Sequence, residues 1–304
     1  MALVECIPNF SEGRRQNVID AIIASLTSVP VYLLDWSADA DHNRMVVTIA
    51  GEPASISESM FRGAQTAAAL IDLEAHRGEH PRIGAVDVIP FVPLREISLR
   101  ECVVLARALG LRIGAEIGLP VYLYEQAALR PNRRNLAHIR RGGYETLKHE
   151  IAFPERVPDF GTLVLGKAGA VAIGARAPLI AFNVYLDTLN VEIARKVAET
   201  IRESSGGMPC VKALGMFVKG RAQVSINAVD FRITSLRMII DAVRLTANAL
   251  GVGVMESELI GLIPQLALQE SSLTALGFPA HTEARILEQR LGAVMNDYRE
   301  LSFE

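Results

Sequence analysis

One order of predicted elements, βαββαβ, occurs twice along this chain and limits what it can fold into. In the first copy, the strand-like segments ALVECI, VPVYLLD, RMVVTIAG and AVDVIPFV are rich in the β-branched and aromatic residues that strands favour. Helices are predicted between these strands at residues 14–28 and 55–75. Ser55 and Glu58 have the spacing of a capping box, which predicts the start of the second helix.

The second copy begins at the strand-like segment PLIAFNVYLD. A helix is predicted at residues 190–204, and the segments CVKALGMFV and RAQVSINAVDF read as paired strands joined by Lys219 and Gly220. A second helix at residues 234–249 and the strand VMESELIGLI complete the set. Two such copies predict an α/β (α+β) fold of two tandem ferredoxin-like βαββαβ subdomains.

The boundary between these subdomains is predicted near GARAP, residues 174–178. The subdomains would then comprise residues 1–177 and 178–304, and a ligand cleft is expected between them.

The remaining segments are less regular. Ser98 and Glu101 predict a capped helix that ends near residue 116, and the strand VYLY follows it. Residues 130–160 are polar and contain proline, which predicts an irregular segment. Residues 264–300 are predicted to be helical, with an apolar stripe that we interpret as core: Leu287, Leu291 and Met295.

Composition narrows the class of protein. The chain has 304 residues, half of them hydrophobic, but we find no apolar run of the roughly 18 residues that a membrane span requires. The N-terminal segment MALVECIPNF lacks the basic start of a signal peptide. The cysteines are too few and scattered for a disulfide framework, so a cytoplasmic location is expected: Cys6, Cys102 and Cys210.

Charge gives no reason to expect a nucleic-acid partner. The net charge is −3, and the chain has no long basic run. The pairs Arg133-Arg134 and Arg140-Arg141 are interpreted as a solvated helix face.

The segment HRGEHPRIGAVD contains the pattern H-x-x-E-H, formed by His76, Glu79 and His80. In one class of zinc peptidase this pattern binds metal, but only a helix directs both imidazoles at one ion. Gly78 weakens a helix here, and Pro81 forces His80 out of helical geometry. We therefore expect no metal site.

His80 is nevertheless the best single candidate for chemistry. A neutral imidazole can both take and give a proton near neutral pH. Glu79 could orient the ring or raise its pKa, and Arg82 could hold a carboxylate with two hydrogen bonds. An ordinary charged surface turn explains the same residues equally well.

The segment GTLVLGKA, residues 161–168, nearly matches a phosphate-binding P-loop. Ala168 stands where the P-loop needs a hydroxyl, and no helix is predicted to follow, so we reject nucleotide hydrolysis. The glycines at 161–176 either let the backbone approach a flat ligand or belong to a loop that links the subdomains.

Two further polar segments have open interpretations. In PNFSEGR, the side chains of Asn9, Ser11 and Glu12 could either cap the first helix or bind a ligand. The segment at residues 39–44 is either a polar hairpin turn or an anion site built on Arg44. Whether the polar residues of this turn contact substrate stays open from the sequence: Asp39, Asp41 and His42.

Several segments in order along the chain resemble the glutamate formiminotransferase family. They include VECIPNFSEGR, DHNRMVVTIAGEP, GEHPRIGAVDVIPFVPL, PDFG, GARAPLIAFNVYL and QVSINAVDF, and the resemblance extends from residue 4 to about residue 265. GEHPR followed by GA-x-DV is its most specific part. We expect a stand-alone form without a cyclodeaminase domain.

The resemblance implies an enzyme that transfers a formimino group between N-formimino-L-glutamate and N5 of tetrahydrofolate. It places the catalytic histidine at His80, requires no metal, and implies a homodimer. We assign Arg44 and Arg82 to substrate carboxylates from their charge, with Asn9 and Glu12 as further substrate-binding candidates. The folate-binding segment that the resemblance implies is Gly161, Thr162, Leu163, Val164, Leu165, Gly166, Lys167, Ala168 and Gly169.

Two alternatives to formimino transfer remain open from the sequence. One is a formyl transferase that acts on 5-formyltetrahydrofolate and glutamate. The other is a non-catalytic module that only binds folate or an amino acid.

Overall fold

The computed structural model describes residues 1–296, 298–299 and 301 of the chain. The chain divides into two compact units between Arg176 and Ala177, and each unit has its own hydrophobic core. Among the described residues, none of the helices combines the length and the apolar composition that a membrane-spanning helix needs.

The first unit is built on a seven-stranded sheet. Strands β1 and β2 occupy one position, because both pair antiparallel with β4 on one side and with β5 on the other. Strand β3 pairs with β4 at the outer edge, while β7 lies parallel to both β5 and β6. The strands are β1 (Leu3–Cys6), β2 (Asn9–Phe10), β3 (Tyr32–Asp39), β4 (Arg44–Gly51), β5 (Val86–Arg95), β6 (Val121–Glu125) and β7 (Val171–Ala175).

Five α-helices belong to this unit: α1 (Gln16–Leu26), α2 (Pro53–Leu70), α3 (Leu99–Glu116), α4 (Leu136–Ile139) and α5 (Gly143–Glu150). The capping box predicted at Ser98 is confirmed, because its side chain accepts from Glu101 N while Glu101 binds Ser98 N. The predicted capping box at Ser55 is wrong. Helix α2 begins earlier, with Pro53 in its first turn, and Glu58 binds arginines instead.

The second unit contains a four-stranded antiparallel sheet in the order β11-β8-β10-β9. Its elements follow the predicted order: β8 (Ile180–Leu186), α6 (Val191–Ile201), β9 (Val211–Val218), β10 (Arg221–Ala228), α7 (Leu236–Ala249) and β11 (Val254–Ile260). Lys219 and Gly220 both have positive φ, which suits the tight turn predicted between β9 and β10.

The fold is α+β, as predicted. In both units a βαββαβ series forms antiparallel pairs, with its first strand between its third and fourth. The ferredoxin-like assignment stays a prediction that this strand order supports. The subdomain bounds and the ligand cleft also stay predictions.

Two predicted segments need correction. Residues 130–160 are not simply irregular, because they contain α4 and α5. Within residues 264–300, the described part has one α-helix, α8 (Leu287–Val294), and short 3₁₀ turns. The apolar stripe predicted there is buried, as expected of core residues: Leu287, Leu291 and Met295.

Candidate active site

His80 lies in the irregular segment between α2 and β5, in the first unit. The preceding residue, Glu79, donates its backbone N–H to Asp41 O, which holds the segment against the β3–β4 turn. Gly78 has no room for a side chain, because a Cβ there would lie 2.2 Å from His42 O. The backbone is thereby fixed in place just before His80.

The proton on the His80 ring can be placed from its contacts. Nδ1 lies 2.8 Å from Pro81 O. A carbonyl oxygen only accepts hydrogen bonds, so Nδ1 carries the proton and Nε2 keeps the lone pair. The ring of His42 stands edge-on to His80, with centroids 5.9 Å apart. His80 Nε2 is thus the basic atom of this site.

The surroundings keep His80 neutral. Burial, followed by the positive charges of Arg44 and Arg140, lowers the pKa of His80 well below its ordinary value of 6.5. The interpretation of Glu79 as the group that orients the ring or raises its pKa is wrong, because the ring binds Pro81 O and the pKa of His80 is lowered.

Two arginines share one buried carboxylate beside this histidine. Asp87, on β5, is fully buried, and its Oδ2 accepts from Arg44 Nη1 at 2.9 Å and from Arg140 Nη2. Its other oxygen accepts from Ile83 N at 2.9 Å. Burial would raise the pKa of Asp87, but Arg140 and Arg44 outweigh it, so the pKa is lowered and the carboxylate stays charged.

Arg44 keeps donors that its protein partners do not use. Nε donates to Asn9 Oδ1 at 3.0 Å and Nη1 donates to Asp87, while Nη2 has no hydrogen-bond partner among the described residues. Burial and the neighbouring Arg140 lower the pKa of Arg44 to about 10, so it remains a cation at neutral pH. The site therefore combines a neutral imidazole with a largely buried arginine cation.

The sequence pointed to His80 and Arg44, but not to Asp87 or to the role of Arg140. Arg140 was assigned to a solvated helix face, which is wrong because it pairs with Asp87. Arg133 is also buried, and its Nη1 lies 2.6 Å from Asp159 Oδ1. The available signal was Asp87 itself, a single acidic residue inside an apolar strand, since an unpaired buried carboxylate is rare.

The first histidine of the H-x-x-E-H pattern has structural partners. His76 Nε2 lies 2.8 Å from Asn43 O, and its Nδ1 accepts from Arg82 Nε at 3.0 Å. Arg82 also makes a two-pronged contact with Glu145, at 2.9 and 2.7 Å. Within the described residues, no group of three or more His, Cys, Asp or Glu side chains could hold a metal ion.

The segment 161–169 is a loop of the first unit, so its interpretation as a link between subdomains is wrong. The strand β7 follows it, where a P-loop would have a helix. Its C-terminal end is bound to the segment that follows His80: Ala85 N donates to Ala168 O at 2.8 Å, and Gly84 forms a bridge with Gly169. The predicted folate loop and the segment that contains His80 are therefore joined through backbone hydrogen bonds.

The two polar segments near the N-terminus have mainly structural contacts. Glu12 Oε1 accepts from the backbone N–H groups of Arg14 and Arg15, just before α1, so it orders the turn into the helix but does not cap it. Asp39 Oδ1 accepts from Asp41 N and His42 N, which closes the β3–β4 hairpin turn. Arg44, the last residue of the second segment, binds Asp87 itself, and Asn9 of the first segment accepts a hydrogen bond from Arg44.

The second unit has a cavity of about 410 Å³. One of its lining carboxylates, Glu258, accepts from Tyr185 Oη at 2.8 Å, Asn183 Nδ2 at 3.1 Å and Lys219 Nζ at 2.9 Å. Hydrogen bonds to Lys219 and Tyr185 outweigh burial and lower the pKa of Glu258. This carboxylate is thus satisfied within the protein and is a poor base.

Comparison with known proteins matches both units. Residues 3–176 match the model of the formiminotransferase domain, N-terminal subdomain, and residues 181–283 match the model of the formiminotransferase domain. The chain is 46% identical to glutamate formimidoyltransferase of Thermoplasma acidophilum, covering 97% of this chain and 99% of that protein.

Two further relatives agree. The glutamate formimidoyltransferase of Streptococcus pyogenes is 45% identical over 95% of this chain and 98% of its own length. The formimidoyltransferase-cyclodeaminase of Mus musculus is 42% identical over 89% of this chain, which spans 52% of that protein. The chain therefore belongs to the formiminotransferase family.

Proposed function

We propose that this protein is a glutamate formimidoyltransferase, a one-carbon transferase that moves a formimino group between N-formimino-L-glutamate and N5 of tetrahydrofolate. The observation that carries the proposal is the neutral His80, whose basic Nε2 lies in the field of Arg44 and Arg140. Relatives that bear this name cover nearly the whole chain.

His80 supplies the proton transfers in this proposal. Transfer of a carbon between two nitrogens requires a base for the attacking nitrogen and an acid for the leaving one. His80 Nε2 can accept the first proton and return it to the leaving nitrogen, and such catalysis contributes about 10²–10⁴-fold. The hydrogen bond to Pro81 O keeps the ring oriented through both steps.

The carboxylates of the amino-acid substrate are assigned to Arg44 and Arg140. Arg44 Nη2 is available for a charge-assisted hydrogen bond, while Asn9 and Asp87 fix the plane of the guanidinium. Arg82, which the sequence also assigned to a carboxylate, uses Nε, Nη1 and Nη2 on His76 and Glu145, so we give it a positioning role.

We assign tetrahydrofolate, as co-substrate, to the loop 161–169. Two apolar side chains at its tip, Leu163 and Val164, are 52% and 73% exposed, which suits contact with a flat ring. Gly166 has open space on the side where other residues carry Cβ, so a ring can approach its backbone closely.

Substitution of Gly166 by alanine tests this loop. A Cβ at this position meets no protein atom within 4 Å, so the free energy of unfolding is expected to change by less than about 1 kcal/mol. Folate affinity, measured by calorimetry, is expected to fall about tenfold because the methyl group occupies ligand space. Unchanged affinity in a folded variant would contradict the assignment.

The same loop offers a contrasting control. Gly161 has φ of +86°, and a Cβ there would lie 2.0 Å from Leu119 O. Gly161→Ala is therefore expected to lower the thermal midpoint of unfolding, unlike Gly166→Ala. The two variants together separate damage to the loop from loss of a ligand contact.

The pH dependence of turnover follows from the lowered pKa of His80. The imidazole loses its lone pair only when the pH falls through that lowered pKa. We expect kcat/KM to stay level as the pH falls to about 6.5, the ordinary value for histidine, and to decrease only below it. A decrease centred near pH 6.5 in a kinetic profile would contradict a His80 that is neutral at that pH.

A comparison of donors tests the reaction class. The purified protein would be given tetrahydrofolate with N-formimino-glutamate, or 5-formyltetrahydrofolate with glutamate, and product followed by absorbance. We expect faster turnover with the formimino donor. A preference for the formyl donor would favour formyl transfer, and folate binding without turnover of either donor would favour a binding module.

The assembly and location are also proposals. We propose a homodimer from the family resemblance alone. The apolar stripe of α8 is buried in the core and gives no further support for a dimer. Light scattering after size exclusion would test it. Free cysteines, two of them buried, suit a cytoplasmic location, which cell fractionation would test.

A further inference from the structure

Helix α5 contacts the catalytic segment at two points. Tyr144 N donates to Arg82 O at 2.9 Å, and the Glu145 carboxylate binds the Arg82 guanidinium through both oxygens. Arg82 lies two residues after His80 and is 9% exposed, so its charge needs this partner. The first turn of α5 therefore fixes both the backbone and the side chain just beyond the catalytic histidine.

The same turn fixes Arg140. Gly143 N donates to Arg140 O at 2.8 Å, and the two glycines that lead into α5, Gly142 and Gly143, have φ of +79° and +65°. Left-handed geometry at two successive positions is accessible to glycine at little cost. This turn directs Arg140 toward Asp87 while Glu145 reaches Arg82.

From Arg82 the contacts continue to the β3–β4 turn. Arg82 Nε donates to His76 Nδ1, so the proton of His76 lies on Nε2 and is donated to Asn43 O at 2.8 Å. Asn43 is adjacent to Arg44 and to His42, which packs edge-on to His80. A chain of hydrogen bonds thus runs from Glu145 through Arg82 and His76 to Asn43. It includes one residue before His80 in the sequence, His76, and one residue after it, Arg82.

Helix α5 also contacts the loop assigned to folate. The buried Tyr144 donates its hydroxyl to Glu74 Oε1 at 2.7 Å and lies 3.3 Å from Gly166 O. Leu73 N donates to Lys167 O at 2.7 Å, which holds the loop against the segment that leads to His80. One short helix thus contacts the cationic cluster, the catalytic segment and the loop.

We propose that Glu145 is a positioning residue, which holds His80 against Arg44 and Arg140 through the bonds from Arg82 to His76. The inference rests on the proposed transferase activity. Glu145 touches none of the reacting groups, and its effect is on geometry. A displacement of about 1 Å can cost up to about 100-fold in rate, so loss of the two-pronged contact should act mainly on kcat.

The test is Glu145→Gln, with Glu150→Gln as the matched control. Glu150 is on the same helix and also pairs with an arginine, Arg156, at 3.4 Å, and this arginine is its side-chain partner among the residues that the structure describes. For Glu145→Gln we expect kcat to fall about 10- to 100-fold, with the KM for tetrahydrofolate within about twofold of wild type. Glu150→Gln is expected to keep both constants.

A second readout separates positioning from general stability. If His80 moves out of the field of Arg44 and Arg140, the midpoint of the acid limb of kcat/KM moves up, toward pH 6.5. A structural role alone would lower the thermal midpoint and leave kcat and this limb unchanged at a temperature where the variant is folded. That result, with an active wild type, would overturn the inference alone, whereas an inactive wild type would overturn the transferase proposal.

Discussion

His80→Gln is expected to lower kcat by about 10²–10⁴-fold while tetrahydrofolate still binds. Glutamine can keep a hydrogen bond to Pro81 O, but it has no basic nitrogen in place of Nε2. Steady-state kinetics with N-formimino-glutamate and calorimetric binding of tetrahydrofolate measure the two effects separately. The variant should fold normally, because His80 is only partly buried.

His149→Gln serves as the control for this experiment. His149 is exposed on α5 and is expected to be replaceable without loss of kcat. If His80→Gln keeps the wild-type kcat, the proton-transfer role of His80 is wrong, although membership of the family would stand. If it loses binding together with turnover, His80 acts on substrate affinity instead.

Asp87→Asn is expected to have the largest effect on stability. The change removes the negative charge that Arg44 and Arg140 share and leaves two largely buried cations without it. Breaking a buried ion pair in this way costs about 3–5 kcal/mol, which urea unfolding at pH 7 would measure. Turnover is expected to fall as well, because Asp87 fixes both arginines that are assigned to the substrate carboxylates.

The sign of the pH dependence gives a second check on Asp87. Its pKa is lowered in the folded state, so its contribution to stability is present above its unfolded pKa, about 3.9, and is lost as the pH falls through the folded pKa. The difference in free energy of unfolding between wild type and Asp87→Asn should therefore shrink below about pH 4.

Asp241→Asn is the matched control for Asp87→Asn. Asp241 also binds two arginines, Arg237 at 2.7 Å and Arg244 at 3.6 Å, but it is half exposed. A surface pair of this kind contributes at most about 1 kcal/mol. If both variants lose the same free energy of unfolding, burial does not determine how much the ion pairs of Asp87 contribute to stability.

Much of the fold was accessible from local patterns. Strands such as β4 and β10 are recognised by β-branched and alternating residues, and the helix after Ser98 is recognised by its cap. The start of α2 was misplaced because Pro53 in the first turn was overlooked in favour of Ser55. Helices α4 and α5 were missed because both are short and polar.

The candidate site was only partly predictable. His80 could be singled out because a proline and a glycine fix it in a loop among charged residues. Arg140 could not, since its partner Asp87 is 53 positions away and only the folded chain brings them together. Arg82 looked like a ligand-binding group by charge, but its donors are used by His76 and Glu145.

The central claim, that a neutral His80 carries the proton transfers, is tested most directly by titrating its imidazole. Histidine labelled with nitrogen-15 would be followed by NMR, with the His80 signal assigned by its loss in His80→Gln. We expect this pKa to lie well below 6.5 and to coincide with the acid limb of kcat/KM in the free enzyme. A His80 that titrates at its ordinary value, or an acid limb unrelated to it, would contradict the claim.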